Sequence, residues 1–137
     1  MSVLVDTPIW SLALRKTKTK SVSEIEVISK LAELIEQSLT RMIGPIRQEI
    51  LSGISSPAAF TLLREKLEAW NDIVIDSSDY TRAAEMYNIC RKRGIQGSHI
   101  DFLICAVAEK HDLSIYTLDK DFLSYAKYLP IQLFDNV

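Results

Sequence analysis

Val3-Leu4-Val5-Asp6-Thr7-Pro8-Ile9-Trp10 joins two kinds of secondary structure in one short stretch. Three consecutive apolar residues, with no polar alternation, suit a strand covered on both faces. Thr7 can cap a helix, and Pro8 fits the first helical position because the N–H it lacks would be unpaired there anyway. A buried strand running straight into a helix is the first half of a β–α unit, and the alternation recurs. Arg41-Met42-Ile43 predicts a second strand, stopped by Gly44-Pro45 at the start of a helix reaching Gly53. Ile73-Val74-Ile75 predicts a third strand, Ser114 to Thr117 a fourth and Ile131 to Phe134 a last one.

The segments between carry helical periodicity. Ser23-Glu24-Ile25-Glu26 fits a capping box, after which Ile25, Ile28, Leu31, Ala32, Ile35 and Leu39 share one face. Ser56-Pro57 opens a helix with Phe60, Leu63, Leu67 and Trp70 on its predicted buried stripe. Ser78 is expected to cap a helix carrying Tyr80, Ala83, Ala84, Tyr87 and Cys90, closed by Arg91-Lys92-Arg93 and Gly94. Ile100 to His111 and Asp121 to Lys127 are also predicted helical, and Arg15 to Lys20 is a polar, basic loop. Strands separated by helices imply right-handed crossovers and an α/β fold whose parallel sheet is covered on both faces. In open sheets of this kind, ligands bind at the carboxyl ends of the strands, near the topological switch point.

Composition bounds the rest. A chain of 137 residues with 47% apolar content is expected to be one domain, 1–137, with a proper core. Charged residues at 25%, with four Gly and four Pro, exclude disorder and low complexity. Two cysteines, Cys90 and Cys105, cannot build a disulfide scaffold and lack zinc-site pairing. No basic leader precedes the first apolar run, and Asp6 interrupts it, so a signal peptide is not expected. The longest uncharged apolar run, Phe102 to Ala108, is far below the ~20 residues that span a bilayer. The expectation is a soluble, cytoplasmic protein with no membrane partner. Sixteen Lys+Arg against eighteen Asp+Glu give a net charge of −2, a weak argument against a nucleic-acid coat protein.

The positions of the acids say more than their number. Glu24, Glu33, Glu36, Glu65, Glu68, Glu85 and Glu109 read as solvated helix faces. Asp6 directly follows the first strand. Asp119 follows the fourth, in Ile115-Tyr116-Thr117-Leu118-Asp119-Lys120-Asp121-Phe122, and either acid would also serve as a turn or cap residue. Glu49 shares a helical face with Ile46, Ile50 and Gly53, so it either snorkels to water from the face's edge or is paired, neutral or cation-bound. Asp101 is the sole charge between Ile100 and Ala108, although Ser98-His99-Ile100-Asp101 also fits a capping box. Convergence of the four is the economical alternative to four separate explanations. Carboxylates gathered in a low-dielectric cleft repel one another and raise each other's pKa, unless a hard cation neutralises them. Oxygen ligands without a Cys/His cluster point to Mg2+ or Mn2+ rather than zinc. Such ions bridge to phosphate and activate water for in-line displacement.

At these residues the sequence resembles the PIN-domain ribonucleases, and more closely the VapC-type toxins of toxin–antitoxin pairs. The matching pieces are Val3-Leu4-Val5-Asp6-Thr7, Arg47-Gln48-Glu49-Ile50-Leu51-Ser52-Gly53, Asp101-Phe102-Leu103-Ile104-Cys105-Ala106 and Tyr116-Thr117-Leu118-Asp119-Lys120-Asp121-Phe122. No single piece is specific; their order and separation over nearly the whole chain are. The resemblance implies a three-layer α/β/α sandwich, a Mg2+-dependent endoribonuclease activity, a cognate antitoxin that blocks the site, and a homodimer. Position by position, it implies that Asp6, Glu49, Asp101 and Asp119 form the catalytic and metal-binding set. Thr7 and Thr117 would orient the carboxylates, and Asp121 would be an outer ligand or a helix cap. Pro8 stands where the family usually has Ser or Asn. Cys105 replaces a usual Ala, a neutral change for a buried residue.

The chemistry expected is in-line attack of an activated water on an RNA phosphodiester, without a covalent enzyme intermediate, because no nucleophile adjoins the acids. His99 is the competing general base, with a structural or substrate-contact role as its alternative. RNA contacts are expected from Arg15, Lys16, Lys18 and Lys20 and from Arg91, Lys92 and Arg93, unless these are a solvated loop and a helix-dipole complement. Trp10, Tyr87 and Tyr125 are either base-stacking or core residues. A receiver domain would need an adjacent acidic pair after the first strand. A haloacid-dehalogenase-type phosphatase would need Asp-x-Asp-x-Thr there, and Asp6-Thr7-Pro8 supplies neither. PIN nucleases of structured DNA generally carry longer insertions. The more serious rival is a catalytically silent PIN module that binds protein or RNA. With four acids assigned to a metal site, the basic residues elsewhere are in slight excess, so a net charge of −2 is compatible with the ribonuclease reading.

Overall fold

A computed structural model describes residues 1–14 and 20–134. In chain order the elements are β1 (Val3–Val5), α1 (Thr7–Leu14), α2 (Val22–Glu36), β2 (Thr40–Arg41), α3 (Gly44–Leu51) and α4 (Pro57–Leu67). They continue with α5 (Ser77–Lys92), α6 (His99–Lys110), β3 (Ser114–Tyr116), α7 (Asp121–Tyr125) and β4 (Gln132–Leu133). Among the described residues the sheet is entirely parallel, in the order β2-β1-β3-β4, with helices around it in an α/β/α arrangement. β1 is buried along its whole length, as its uninterrupted apolar sequence requires, and pairs on both edges: Val3 lies opposite Thr40 and Ser114. The chain runs from β1 to β2 on one side and then to β3 on the other. The switch point therefore falls between β1 and β3, and residues leaving these two strands share one end of the sheet.

Polar anchors join the layers. The Trp10 indole N–H donates to the Val5 carbonyl at 3.1 Å, holding α1 to β1. The Tyr116 hydroxyl donates to the Val27 carbonyl at 3.1 Å, holding α2 over β3. Phe102 through Ala108 of α6 are all buried, and α5 packs along that helix. No helix among the described residues is long and apolar enough to cross a membrane.

Several local expectations need correcting. Ile73-Val74-Ile75 is not a strand: an isolated parallel bridge joins Met42 to Asp72, and the Ile73 N–H donates to the Met42 carbonyl at 2.9 Å. Val74 is 81% exposed, so the segment has only one covered face and leaves the sheet edge at once. The capping box of α2 is Ser21 with Glu24, two residues before the expected one; the buried stripe is Val27, Leu31 and Leu34, while Ile25 and Ile35 are exposed. Asp76, not Ser78, caps α5 and forms a box with Asp79. The apolar stripe of α4 is covered except at its start: Phe60 is 38% exposed, whereas Leu63 packs part-buried against the core. Leu67 alone is buried in that helix, and Trp70 lies beyond it, packed edge-on against Trp10. α1 begins at Thr7 itself, with the Asp6 carbonyl accepting the Ile9 N–H at 3.1 Å.

Candidate metal centre

The first βα junction aims its acid into the end of the sheet. The Asp6 N–H donates to the Tyr116 carbonyl at 2.8 Å, continuing the β1–β3 ladder by one residue and fixing the Cα at the strand's carboxyl end. Its side chain is buried. Oδ1 accepts the Thr7 N–H at 2.8 Å, and Oδ2 accepts the Thr117 hydroxyl at 2.7 Å. Burial pushes the Asp6 pKa up; the two hydrogen bonds oppose that shift, and the nearby charges of Asp101 and Glu49 add to it. The carboxylate thus has geometric anchoring without a cationic partner among those influences.

The two threonines link the acids in pairs. The Thr7 hydroxyl donates to Glu49 Oε1 at 2.9 Å, which turns an otherwise exposed α3 side chain toward the cleft. Glu49 therefore sits at the solvent edge of its helix face, between the buried Ile46 and Ile50, rather than within the apolar stripe. Thr117 donates to Asp6 and accepts the Asp119 N–H at 3.0 Å, so one hydroxyl positions acids at the ends of both central strands. Asp119 Oδ1 in turn accepts the Asp121 N–H at 2.9 Å at the start of α7.

Asp101 arrives from α6. Its N–H donates to Ser98 Oγ at 3.1 Å, the backbone half of the expected capping box. The carboxylate does something else: Oδ2 accepts the Tyr125 hydroxyl at 2.7 Å. Burial, and then the hydrogen bond to Asp101, push the Tyr125 phenol far up, so it stays a donor at any ordinary pH. One carboxylate oxygen each from Asp101, Asp119 and Asp121 lie within 4.8 Å of one another. Oxygens sharing a single Mg2+ at ~2.1 Å are at most about 4.2 Å apart, so the trio is close to the spacing of an all-oxygen, hard-cation site. The donor chemistry fits such an ion, with no thiolate or imidazole in the group.

A cleft of about 630 Å3 is lined by Asp6, Thr7, Glu49, Asp101 and Asp119, together with Glu24. Glu24 was expected on a solvated face; as the acid of the α2 capping box, it is held at the rim by the Ser21 N–H at 2.9 Å. Tyr125 is the other residue that sequence reasoning did not assign here, since only tertiary packing ties it to Asp101. Asp79 was likewise not singled out. It is buried away from this cleft, where its carboxylate accepts the Asp76 N–H and pairs with Lys110 at 3.3 Å. Behind the cleft, burial pushes the Cys105 thiol up, with the Asp101 charge adding to it, and the residue acts as apolar filling.

The remaining candidates do not line the acid cleft. Arg15, Lys16 and Lys18 lie outside the described residues, and Lys20 Nζ is 3.5 Å from the Leu12 carbonyl. Arg91 lies over the Tyr87 ring at 5.9 Å and Arg93 over the Tyr128 ring at 5.0 Å, at the end of α5. Trp10 and Tyr125 are core residues; His99 is exposed and stacked on Tyr87.

The PIN-domain family model matches residues 3–128 of this sequence. No curated protein sequence is significantly similar to it. Among solved structures, FitAcB from Neisseria gonorrhoeae resembles it with a TM-score of 0.76 at 20% identity, over 98% of this chain and 97% of that one. VapBC2 from Rickettsia felis, solved with a DNA fragment from its promoter, gives 0.71 at 17% identity over 98% of each chain. VapBC-1 from nontypeable Haemophilus influenzae gives 0.69 at 19% identity, over 99% of this chain and 98% of that one. At these identities the likeness is one of fold.

Proposed function

This chain belongs to the PIN-domain family, and from that premise we propose that it is a divalent-metal-dependent endoribonuclease acting as the toxin of a toxin–antitoxin pair. The observation that carries the reading is the meeting of Asp6, Glu49, Asp101 and Asp119 in one cleft at the switch point of the sheet, with Asp121 beside them. In this reading Asp101, Asp119 and Asp121 hold a Mg2+ or Mn2+ ion, with Asp6 and Glu49 as further carboxylates toward the same cleft. Such an ion supplies activation of water and neutralisation of the charge that builds on phosphate oxygens.

The chain's own residues do the positioning. Thr117 and the Thr7 amide lock both oxygens of Asp6, so this carboxylate enters the reaction without reorganising. Tyr125 holds Asp101 by Oδ2, and Thr7 keeps Glu49 turned inward. Five carboxylates without an ion would repel a phosphodiester, which makes cation binding a precondition for substrate entry. Free Cys90 and Cys105 are buried, which excludes a thiolate as the attacking group.

The antitoxin and the homodimer belong to the same reading. They come from the resemblance to VapC-type toxins, and the likeness in fold to VapBC2 and VapBC-1 accords with it. Phe60 at 38% and Leu62 at 59% exposure on α4 are apolar surface for a partner chain to cover. The experiment is calorimetric titration with Mg2+ and Mn2+, followed by incubation with a mixed RNA pool. Metal binding with cleavage supports the nuclease. No binding at millimolar metal favours a silent PIN module instead.

A further inference from the structure

Building on the nuclease reading, we propose that His99 and Tyr87 form a stacking platform for the unpaired nucleobase next to the scissile phosphate, with Arg91 holding a neighbouring phosphate. His99 is the first residue of α6, two positions before Asp101, and its ring is exposed. It lies almost parallel to Tyr87, with ring centroids 5.2 Å apart and an interplanar angle of 17°. Tyr87 is braced edge-on by the buried Phe102 at 5.6 Å, and Phe102 packs at 4.8 Å on Tyr125, the residue that donates to Asp101. The platform and the acid cluster are therefore parts of one aromatic assembly. An exposed imidazole whose orientation is set by such packing loses little freedom when a flat ligand settles on it.

The surroundings suit a polynucleotide. A hollow of about 410 Å3 is walled by Tyr80, His99, Ile100, Phe102 and Leu103, and Ile100 also lines the acid cleft, so the two spaces adjoin. A strand whose phosphate sits among the acids carries its next base to that wall. A flat, largely apolar ring beside an anion is what a nucleobase presents, and aromatic walls bind it without needing its sequence. Arg91, one helical turn beyond Tyr87, lies over the same ring at 5.9 Å, and the run Arg91-Lys92-Arg93 gathers positive charge at the end of α5, suited to a phosphate. Charge and stacking surface thus occur together on the side of the cleft where α5 and α6 pack.

The test compares a labelled, short single-stranded RNA of mixed sequence with the same backbone carrying abasic sites. Binding is read by anisotropy with Ca2+ in place of Mg2+, and cleavage of the RNA is followed separately with Mg2+. His99→Ala is expected to weaken binding of the RNA about tenfold and leave the abasic strand unaffected, with His99→Phe restoring it. Arg91→Ala is expected to weaken both strands alike and lower the salt slope by about one. If the parent cleaves RNA but His99→Ala binds it unchanged, or His99→Phe fails to restore binding, the platform is wrong while the nuclease stands. A change in sedimenting mass for His99→Ala, with RNA affinity unchanged, would assign the hollow to a second copy of the chain and overturn the proposal. A parent that neither binds nor cleaves RNA would remove the nuclease reading and the platform with it.

Discussion

The hydroxyl of Tyr125, a side chain with no solvent exposure, donates to Asp101 Oδ2 at 2.7 Å. A core residue thereby sets the orientation of a cleft carboxylate. Tyr125→Phe removes the donor and keeps the ring, so the fold should melt at nearly the parent temperature. Mn2+ affinity measured by calorimetry should fall about 10- to 100-fold, as it does when a ligand loses its outer hydrogen bond. Unchanged affinity would mean that Tyr125 positions nothing.

Gly97 makes that contact sterically feasible. A Cβ there would stand 2.8 Å from Tyr125 Cζ and 2.9 Å from Phe102 Cε2, and closer still to the hydroxyl. Gly97→Ala should destabilise the protein by about 1–3 kcal/mol through overpacking, measured by urea unfolding. In a Tyr125→Phe background the cost should shrink, because the nearest obstacle is gone. The same cost in both backgrounds would show that the hydroxyl is not the obstruction.

Thr117 serves two acids with one hydroxyl. Thr117→Val leaves Asp6 with one fewer hydrogen bond in a buried site and the Asp119 N–H without its acceptor. Cleavage should drop at least about tenfold, whereas Thr117→Ser, which keeps the hydroxyl, should retain most of the parent rate. Equal losses in both variants would assign Thr117 a packing role.

Much of the fold is legible in the sequence. Val3-Leu4-Val5 and Ser114-Ile115-Tyr116 are apolar without alternation because both their faces are covered, and the acids after them follow from where ligands sit on a parallel sheet. What escaped reading depends on contacts distant in sequence. Two overlapping Ser-x-x-Glu patterns begin α2, and the helix starts at the first of them, Ser21 with Glu24. The helical period of Phe60, Leu63 and Leu67 is real, but coverage thins toward the start of the helix, where Phe60 is left 38% exposed. Ile73-Val74-Ile75 has strand composition and lacks a second covering face. Tyr125 carries no local mark of its bond to Asp101.

A pH-dependent contribution to stability comes from the pair joining α5 and α6. Arg82 Nε donates to Glu109 Oε1 at 2.8 Å and its Nη2 to Oε2 at 3.0 Å, which holds the Glu109 carboxyl below its ordinary range. The native carboxylate binds a proton less readily than the unfolded one. The pair therefore stabilises above the unfolded Glu value and fades as pH falls through the lower, native value. Both side chains are about a third exposed, so solvent screening keeps the effect small. Glu109→Gln should cost about 0.5–1 kcal/mol at pH 7 in urea unfolding and almost nothing once Glu109 is protonated. A difference independent of pH would contradict the assignment.

In the proposed nuclease, the cleft acids make cleavage depend on a divalent cation. The most direct measurement is cleavage of single-stranded RNA against Mg2+ concentration, for the parent and for Asp101→Asn, with thermal melts recorded in parallel. The parent is expected to cleave only when Mg2+ is present, and Asp101→Asn to melt like the parent and not to cleave. Cleavage by the parent that persists in excess chelator, or undiminished cleavage by Asp101→Asn, would contradict it.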